Sequence, residues 1–465
     1  MHIKRLPIKF TADPSKVIMK FLDLRNPARF RAILERFGQL SEEEMSRLWQ
    51  QTTGDFAHRH RNYKERLLSH FHKLERQLGA NLQLSNREKL LLGTLASEEY
   101  SIQAAALFNP SIVPHPNQDG LSKGAIRFVM SLRAVGEGHI SSIEFKQGVI
   151  NSAGDITFEE EAQWRTPAQK VTSESFGRDW VKRRLAGVPG FKGDFLKKLP
   201  ITFAKEQVLR LPQEKSRCLL LELMDDNYEL LFDNEAALPE SVIFPMATSE
   251  KMGMEDVRLV QFEDGKETRY FGTYTAYDGK KIQSKLLETS DFRQFEIHSL
   301  YGKEVEDKGI AFFPRKVNGK FAVISRQGGD SLSIMYSDDY LFWEEKQPLL
   351  SPSQPWELVQ MGNCGSPIET PEGWLMLTHS VGPMRRYTLG VSLLDLDDPS
   401  RVIANLNRPL MTPLEDEREG YVPNVLYTCG WMQQNDNILI PYAMSDASCG
   451  FAMVSTEELL RNLNS

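Results

Sequence analysis

The stretch Met252–Tyr277, MGMEDVRLVQFEDGKETRYFGTYTAY, decides how the chain is read. Two β-rich runs flank Asp264-Gly265, and such a dipeptide between alternating runs is the strongest short-range hairpin signal. The first run is odd for a strand because it carries Glu255, Asp256 and Arg258 among apolar residues. Successive side chains of a strand point to opposite faces, so Glu255 and Val257 face one way and Asp256 and Arg258 the other. An acid and a base two apart on one face need a polar place to point into.

The same grammar recurs downstream. PRKVNGKFAVISR turns at Asn318-Gly319, and IETPEGWLMLTHS and WMQQNDNILIPYAMSD are looser hairpins. The phrases ETSDFRQFE and YSDDYLFWEEKQPL each set Ser-Asp before an aromatic residue. Asp256, Lys308 and Gln360 recur at 52-residue intervals, with Asn424 another 64 residues on. Units of roughly fifty residues, all antiparallel β, predict the blades of a propeller. The expected fold is therefore mostly β, a five-bladed β-propeller over residues 101–465 with an insertion at about 160–240. There SFGRDWVKRRLAG and GDFLKKLP look partly helical. Innermost strands of a propeller line a shared channel, which gives the charges of Met252–Val260 their polar outlet. Each blade then delivers a few side chains to one pocket: Asn109, Arg133, Asp256 with Arg258, Lys308 with Arg326, His379 and Asp446.

Residues 1–100 read as an α-helical N-terminal extension. Phe30, Ile33, Leu34 and Phe37 keep helical spacing. Ser41 with Glu44 forms a capping-box pattern. YKERLLSHFHKLERQL and NREKLLLGTLASEEYSIQAAAL continue as helix, with no strand signal between them. The basic cluster His58, Arg59, His60 and Arg61 reads as an anion or metal contact, a cover over the propeller mouth, or a solvated helix face.

Composition narrows the function classes. The 465 residues are 26% charged and 41% apolar, with a net charge of -7, so nothing favours nucleic acid. No apolar run is long enough to span a membrane. The start lacks a signal-peptide pattern. Four cysteines without CxxC spacing suggest neither zinc nor a disulfide framework, and a reduced cytoplasm is expected. No phosphate-loop, dinucleotide or metal-ligand pattern is present, so no cofactor and no metal are expected.

From about Phe108 onward the chain resembles glycoside hydrolase family 130, the β-mannoside phosphorylases and β-mannosidases. Phe108-Asn109-Pro110 matches one family motif, and SLRAV, with Leu132 followed by Arg133, approximates a second. Glu255-Asp256-Val257-Arg258 stands where the family has EDPR, with valine for proline. TYTAYDG, GIAFFPRKVNGKFAVISR, GSPIETPEGWLMLTH, LLDLDDPSRVI and EGYVPNVLYTCG follow in family order. The helical first hundred residues resemble an extension found in some members.

The resemblance implies a five-bladed propeller and an inverting reaction on β-mannosides. Asp256 would be the proton donor, acting through a hydroxyl of the mannose itself. Without the resemblance, Glu255, Asp256 and Arg258 read rather as a buried ion-pair knot that holds a strand. Asn109, Arg133, Glu255, Arg258, Tyr277, Asn424 and Asp446 would bind the sugar. Lys308, Arg326, His379 and Tyr387 would hold inorganic phosphate, the co-substrate, because a phosphorylase needs a cationic cradle. The family has arginine at the position of Lys308 and lysine at that of Gln360, departures that weaken the cradle. The expected product is α-mannose 1-phosphate with a shortened sugar.

An inverting β-mannosidase is the alternative, and it needs a second carboxylate about 6.5–9.5 Å from the first. Glu137, Glu255, Glu369 and Glu419 are its candidates. A non-catalytic carbohydrate-binding propeller is the alternative from another class. The expected partner is an oligosaccharide or mannoside, without nucleic acid or membrane, and a homo-oligomer is left open.

Overall fold

The computed structural model describes residues 1–464 except 25, 80, 81, 174, 187–190, 192 and 213. Several of these fall in the expected insertion, so that part of the expectation lies outside the described residues. Strands dominate, and among the described residues most of them can be followed as five mainly antiparallel units, of which the first two belong to one twelve-stranded sheet. The first holds Ala106–Pro114, Ile126–Val135 and Ser141–Ile150. The second holds Gly253–Asp264, Glu267–Tyr277, Ile282–Thr289 and Gln294–Ser299, and Tyr228–Leu231 extends it. A parallel contact of Gly253 with Ser141 joins these two units in one sheet. The third runs from Ala311 to Leu350 and the fourth from Gln360 to Asn405. The fifth contains Asn437–Met444 and Ser448–Ser455.

All four expected hairpins form. Asp264 pairs with Glu267, Val317 with Lys320, Thr370 with Gly373 and Gln434 with Asn437. Asn318 and Gly319 both take left-handed backbone angles, φ 50° and 80°, as a tight turn between twisted strands requires.

Apolar faces of neighbouring units share cores. Val129, Ile143 and Phe145 of the first unit pack with Met254, Val257 and Leu259 of the second. Phe262 and Phe271 meet Phe312 and Trp343 of the third. Phe313 and Ile324 meet Trp374 and Met376 of the fourth. Leu375 and Leu377 meet Ile438 and Ile440 of the fifth. Phe128 and Met130 of the first meet Leu439 and Phe451 of the fifth.

The first hundred residues are not all helix. Helices occupy Pro27–Phe37, Glu42–Phe56, Tyr63–Leu78 and Asn86–Leu95, and the Ser41–Glu44 capping box is formed. Strands Lys4–Thr11, Val17–Phe21 and Ser97–Ser101 flank them. The last expected helix therefore stops at Leu95. Ser97–Ser101 pairs with Val17–Phe21, and Lys4–Thr11 is the outer strand of the fifth unit, antiparallel to Ser448–Ser455. Pro7 masks Lys4–Thr11 in the sequence; the register shift between Leu6 and Lys9 accommodates it. The region of the expected insertion carries helices Arg178–Leu185 and Glu214–Asp226 around a core of its own, including Val181, Phe203 and Leu220.

Candidate functional site

A cavity of about 360 Å³ collects side chains from all five units. Asn109 and Arg133 come from the first, Asp256 and Arg258 from the second, and Lys308 and Arg326 from the third and the loop before it. Gln360, Asn363, His379, Arg385 and Tyr387 come from the fourth, and Tyr427 and Asp446 from the fifth.

Local backbone geometry aims these groups. Asn109 lies at a register break between Phe108 and Ser111, with φ 50°. Asp256 lies at a second break, between Glu255 and Arg258, with φ 57°. A bulge of this kind re-aims a side chain that regular alternation would not deliver. Asp256 and Arg258 thus share the cavity as expected, but through a bulge rather than through the pleat, while Val257 enters the core. Asp446 and Arg385 are also left-handed, φ 51° and 53°. Such conformations are costly for non-glycine residues and cluster at functional sites.

Asp256 is the focus of the first half of the cavity. Its Oδ1 accepts from Asn109 Nδ2 at 2.6 Å and from Arg133 Nη1 at 3.2 Å. Arg133 also donates to Glu255 Oε1 at 2.8 Å and to Ser141 Oγ at 2.9 Å. Burial works to raise the pKa of Asp256, but Arg133, Lys308, Arg258 and the Asn109 hydrogen bond hold it below the ordinary carboxylate range. Asp446 moves the other way. Burial and the negative charge of Asp256 push it up to about 6.

The second half is rich in unspent donors. Among the described residues, Lys308, Arg326 and Arg385 form no ion pair, whereas Arg258 donates to Tyr427 Oη at 2.6 Å. Asn363 is fully buried, and neither its Nδ2 nor its Oδ1 has a hydrogen-bond partner. Buried polar groups are normally satisfied, so an orphaned amide facing a cavity points to a polar ligand. His379 stacks parallel to Tyr387, with ring centres 5.9 Å apart, and edge-on to Tyr427 at 4.8 Å. Burial, with Arg326 and Arg258 nearby, drives its pKa well below the usual histidine value. It is neutral at pH 7 and offers an N–H rather than a charge. Its cross-strand partner is Gly362, where a Cβ would lie 2.4 Å from the ring.

Of the expected site residues, nine line the cavity: Asn109, Arg133, Asp256, Arg258, Lys308, Arg326, His379, Tyr387 and Asp446. Gln360 also lines it. Glu255 sits one step back, bound to Arg133. Tyr277 and Asn424 are not among the lining residues. Tyr277 ends a strand opposite Gly253, and Asn424 accepts from Arg418 Nε at 2.8 Å. Arg385, in the pair Arg385-Arg386 that precedes Tyr387, reads in the sequence as either a phosphate contact or a surface charge, and it lines the cavity. Asn363 and Tyr427 carried no signal, since an apolar strand context hides a buried polar residue.

The basic cluster of the N-terminal segment lies elsewhere. Arg61 makes a two-pronged pair with Glu240 at 2.7 and 2.8 Å, and His60 Nε2 lies 2.8 Å from Glu99. The Arg61 guanidinium also covers the Trp164 ring at 4.7 Å. These contacts fasten the helices to the region before the second unit. Of the four glutamates weighed as a water-activating base, none lines the cavity. Glu369 pairs with Arg315, Glu137 accepts from Ser101 N, Glu255 pairs with Arg133, and Glu419 is exposed. Among the described residues no group of three or more His, Cys, Asp or Glu side chains could hold a metal ion, and no helix is long and apolar enough to cross a membrane.

Comparison with known proteins adds to this geometry. The profile of glycoside hydrolase family 130, described as beta-1,4-mannooligosaccharide phosphorylase, matches residues 222–465. A 1,2-beta-oligomannan phosphorylase of Thermoanaerobacter sp. is 33% identical over 49% of this chain and 76% of its own length. A beta-1,2-mannobiose phosphorylase of the same organism is 34% identical over 45% of this chain and 69% of its own. A solved structure of a candidate glycoside hydrolase from Bacteroides ovatus covers 79% of this chain and 91% of its own. Its TM-score is 0.50 at 15% identity, a likeness of fold alone.

Proposed function

The chain belongs to glycoside hydrolase family 130, and from that premise we propose that it cleaves β-mannosides by inverting phosphorolysis. The products are α-mannose 1-phosphate and a shortened sugar. The observation that carries this reading is the set of unpaired cations, Lys308, Arg326 and Arg385, around the orphaned amide of Asn363. Unpaired guanidinium and ammonium groups in a half-enclosed cavity suit phosphate, which arginine can grip with two parallel hydrogen bonds. Arg385 supplies a charge where Gln360 lacks one. Lys308 keeps its charge without the fork of an arginine.

In this reading a phosphate oxygen forms the new bond to C1 of the mannose. The C1–O bond to the leaving sugar breaks, and its electron pair stays on the leaving oxygen. That oxygen takes a proton from a mannose hydroxyl, which is replenished from Asp256. Asp256 is held ionised by Arg133, Lys308 and Arg258, against the effect of burial. Bound phosphate offsets those positive charges and so raises the proton affinity of Asp256 when the acid is needed. Asn109, Arg133 and Asp446 hold the donor mannose, with Glu255 orienting Arg133. His379 and Tyr387 complete the phosphate cradle.

The five antiparallel units are taken as blades of a five-bladed propeller, a reading supported by the shared cores that run from the first unit to the fifth and back to the first. Residues 12–100 are then an appended segment and about 160–240 an insertion. A cytoplasmic location fits four unbridged cysteines.

The test is incubation with β-1,2- and β-1,4-linked mannobiose, with and without inorganic phosphate. Mannose 1-phosphate that forms only with phosphate supports the proposal. Free mannose formed at equal rate without phosphate refutes it in favour of a hydrolase; among the described residues, Asp446 is the other carboxylate that lines the cavity.

A further inference from the structure

Next to the elements that bring Arg133 and Asp446 to the cavity, two loops from distant parts of the chain meet, although neither lines the cavity itself. Glu137–His139 links the strand that carries Arg133 to Ser141–Ile150. Tyr421 precedes Val422, whose N–H donates to Ser445 O beside Asp446 at 2.9 Å. Tyr421 is 54% exposed, yet its ring lies 5.8 Å from that of His139, tilted by 31°. Tyr421 Oη and His139 Nδ1 are 3.1 Å apart. The contact bridges the first and fifth units on the side where Asn109, Arg133 and Asp446 gather.

The loop is held from outside the site. Tyr100 Oη donates to Glu137 O at 2.7 Å, and Ser101 N donates to Glu137 Oε1 at 2.8 Å. Gly136 packs so closely that a Cβ there would lie 2.5 Å from Ser101 O. His139 itself is left-handed, φ 60°, a conformation that such anchoring keeps in place.

We propose that Tyr421 and His139 form a stacking platform for the acceptor end of a β-linked mannooligosaccharide, and that the N-terminal strand Ser97–Ser101 sets its position. The inference rests on the phosphorolysis reading for the identity of the sugar. An exposed aromatic face beside a polar cavity suits the C–H face of a pyranose ring, and the hydrogen bond of Tyr421 Oη to His139 Nδ1 fixes how that face is presented. Tyr100 and Ser101 are positioning residues. They touch no sugar and act through Glu137.

The test uses full-length protein in two assays. Calorimetric titration of the D256N protein with mannobiose, mannotriose and mannotetraose reads binding without turnover. Steady-state kinetics of wild type, Y421A, Y421F, H139A and E137A read KM for oligosaccharide and for phosphate separately. Y421A is expected to raise the oligosaccharide KM roughly tenfold, more for longer chains, while the phosphate KM changes less than about twofold. Y421F, which keeps the ring, recovers most of the loss. E137A weakens oligosaccharide binding in the same direction but less. Equal affinity of Y421A/D256N and D256N for every chain length overturns the platform. An unchanged oligosaccharide KM in E137A overturns the positioning role. Wild-type protein that makes no mannose 1-phosphate overturns the phosphorolysis reading, and the titration still decides the platform.

Discussion

Replacing Gly362 with alanine should damage phosphate use more than mannoside use. Gly362 faces His379 across two paired strands, and a Cβ would lie 2.4 Å from Cε1 and 2.7 Å from Nε2. Ordinary contact begins at 3.4 Å, so the ring must retreat by about 1 Å, a misplacement large enough to matter at a reacting centre. It has little room, because Tyr387 stacks on it and Tyr427 meets it edge-on. A hydrogen bond to a charged group contributes about 1.5–3 kcal/mol. Losing it predicts a rise in the phosphate KM of roughly 10- to 150-fold. Overpacking also costs about 1–3 kcal/mol of stability, so the assay pairs urea unfolding with kinetics at varied phosphate and saturating mannoside. A destabilised protein with an unchanged phosphate KM would refute the reasoning. His379 would then be a structural residue of its strand.

Four further outcomes are expected. D256N should abolish turnover and retain sugar binding by titration; residual turnover near wild type would remove Asp256 from the reaction. Asp446, raised to about 6, favours the folded state below its unfolded pKa, and that contribution is lost as pH rises through about 6. D446N should therefore gain stability relative to wild type between pH 4 and 7, and parallel pH profiles of the urea midpoint would contradict this. Lys285 is fully buried and donates to Glu250 at 2.7 Å, while Tyr228 and Tyr274 also donate to that carboxylate. K285M should cost about 3–5 kcal/mol by leaving a buried charge unpaired, read as a shift in the urea midpoint. G54A, in an exposed helix turn with open space around it, should stabilise by about 0.5–1 kcal/mol, and a lower melting temperature would count against the helix.

What the sequence disclosed and what it hid divide along physical lines. Asp264-Gly265 and Asn318-Gly319 announced their hairpins because turn chemistry is local. Asp256, Lys308 and Gln360, equally spaced in the sequence, line one cavity, whereas Asn424, the next in that series, does not. Lys4–Thr11 stayed hidden because its partner lies at the far end of the chain, and neither Pro7 nor the flanking charges resemble a strand interior. The bulge at Asp256 was equally silent: nothing in Glu-Asp-Val-Arg distinguishes a pleat from a left-handed kink, although the family resemblance brought the same residue forward. Asn363 and Tyr427 sit among apolar neighbours, where only three-dimensional packing reveals a polar role. The place of Arg61, open in the sequence among an anion or metal contact, a cover over the propeller mouth and a solvated helix face, was hidden because its partner, Glu240, is remote in sequence.

The pairing of Lys4–Thr11 with Ser448–Ser455 sets a timetable for the nascent chain. Arg5 grips Glu417 at 2.8 Å across 412 residues. At a ribosomal rate of about 5–20 residues per second, the first strand waits roughly 20–80 s for its partner. During that interval its backbone donors and acceptors form an open edge that another nascent chain could occupy. Lys4, Arg5 and Lys9, with Pro7 between them, make that edge a poor template for association. The residues that concealed the strand from a sequence reader thus also guard it during synthesis.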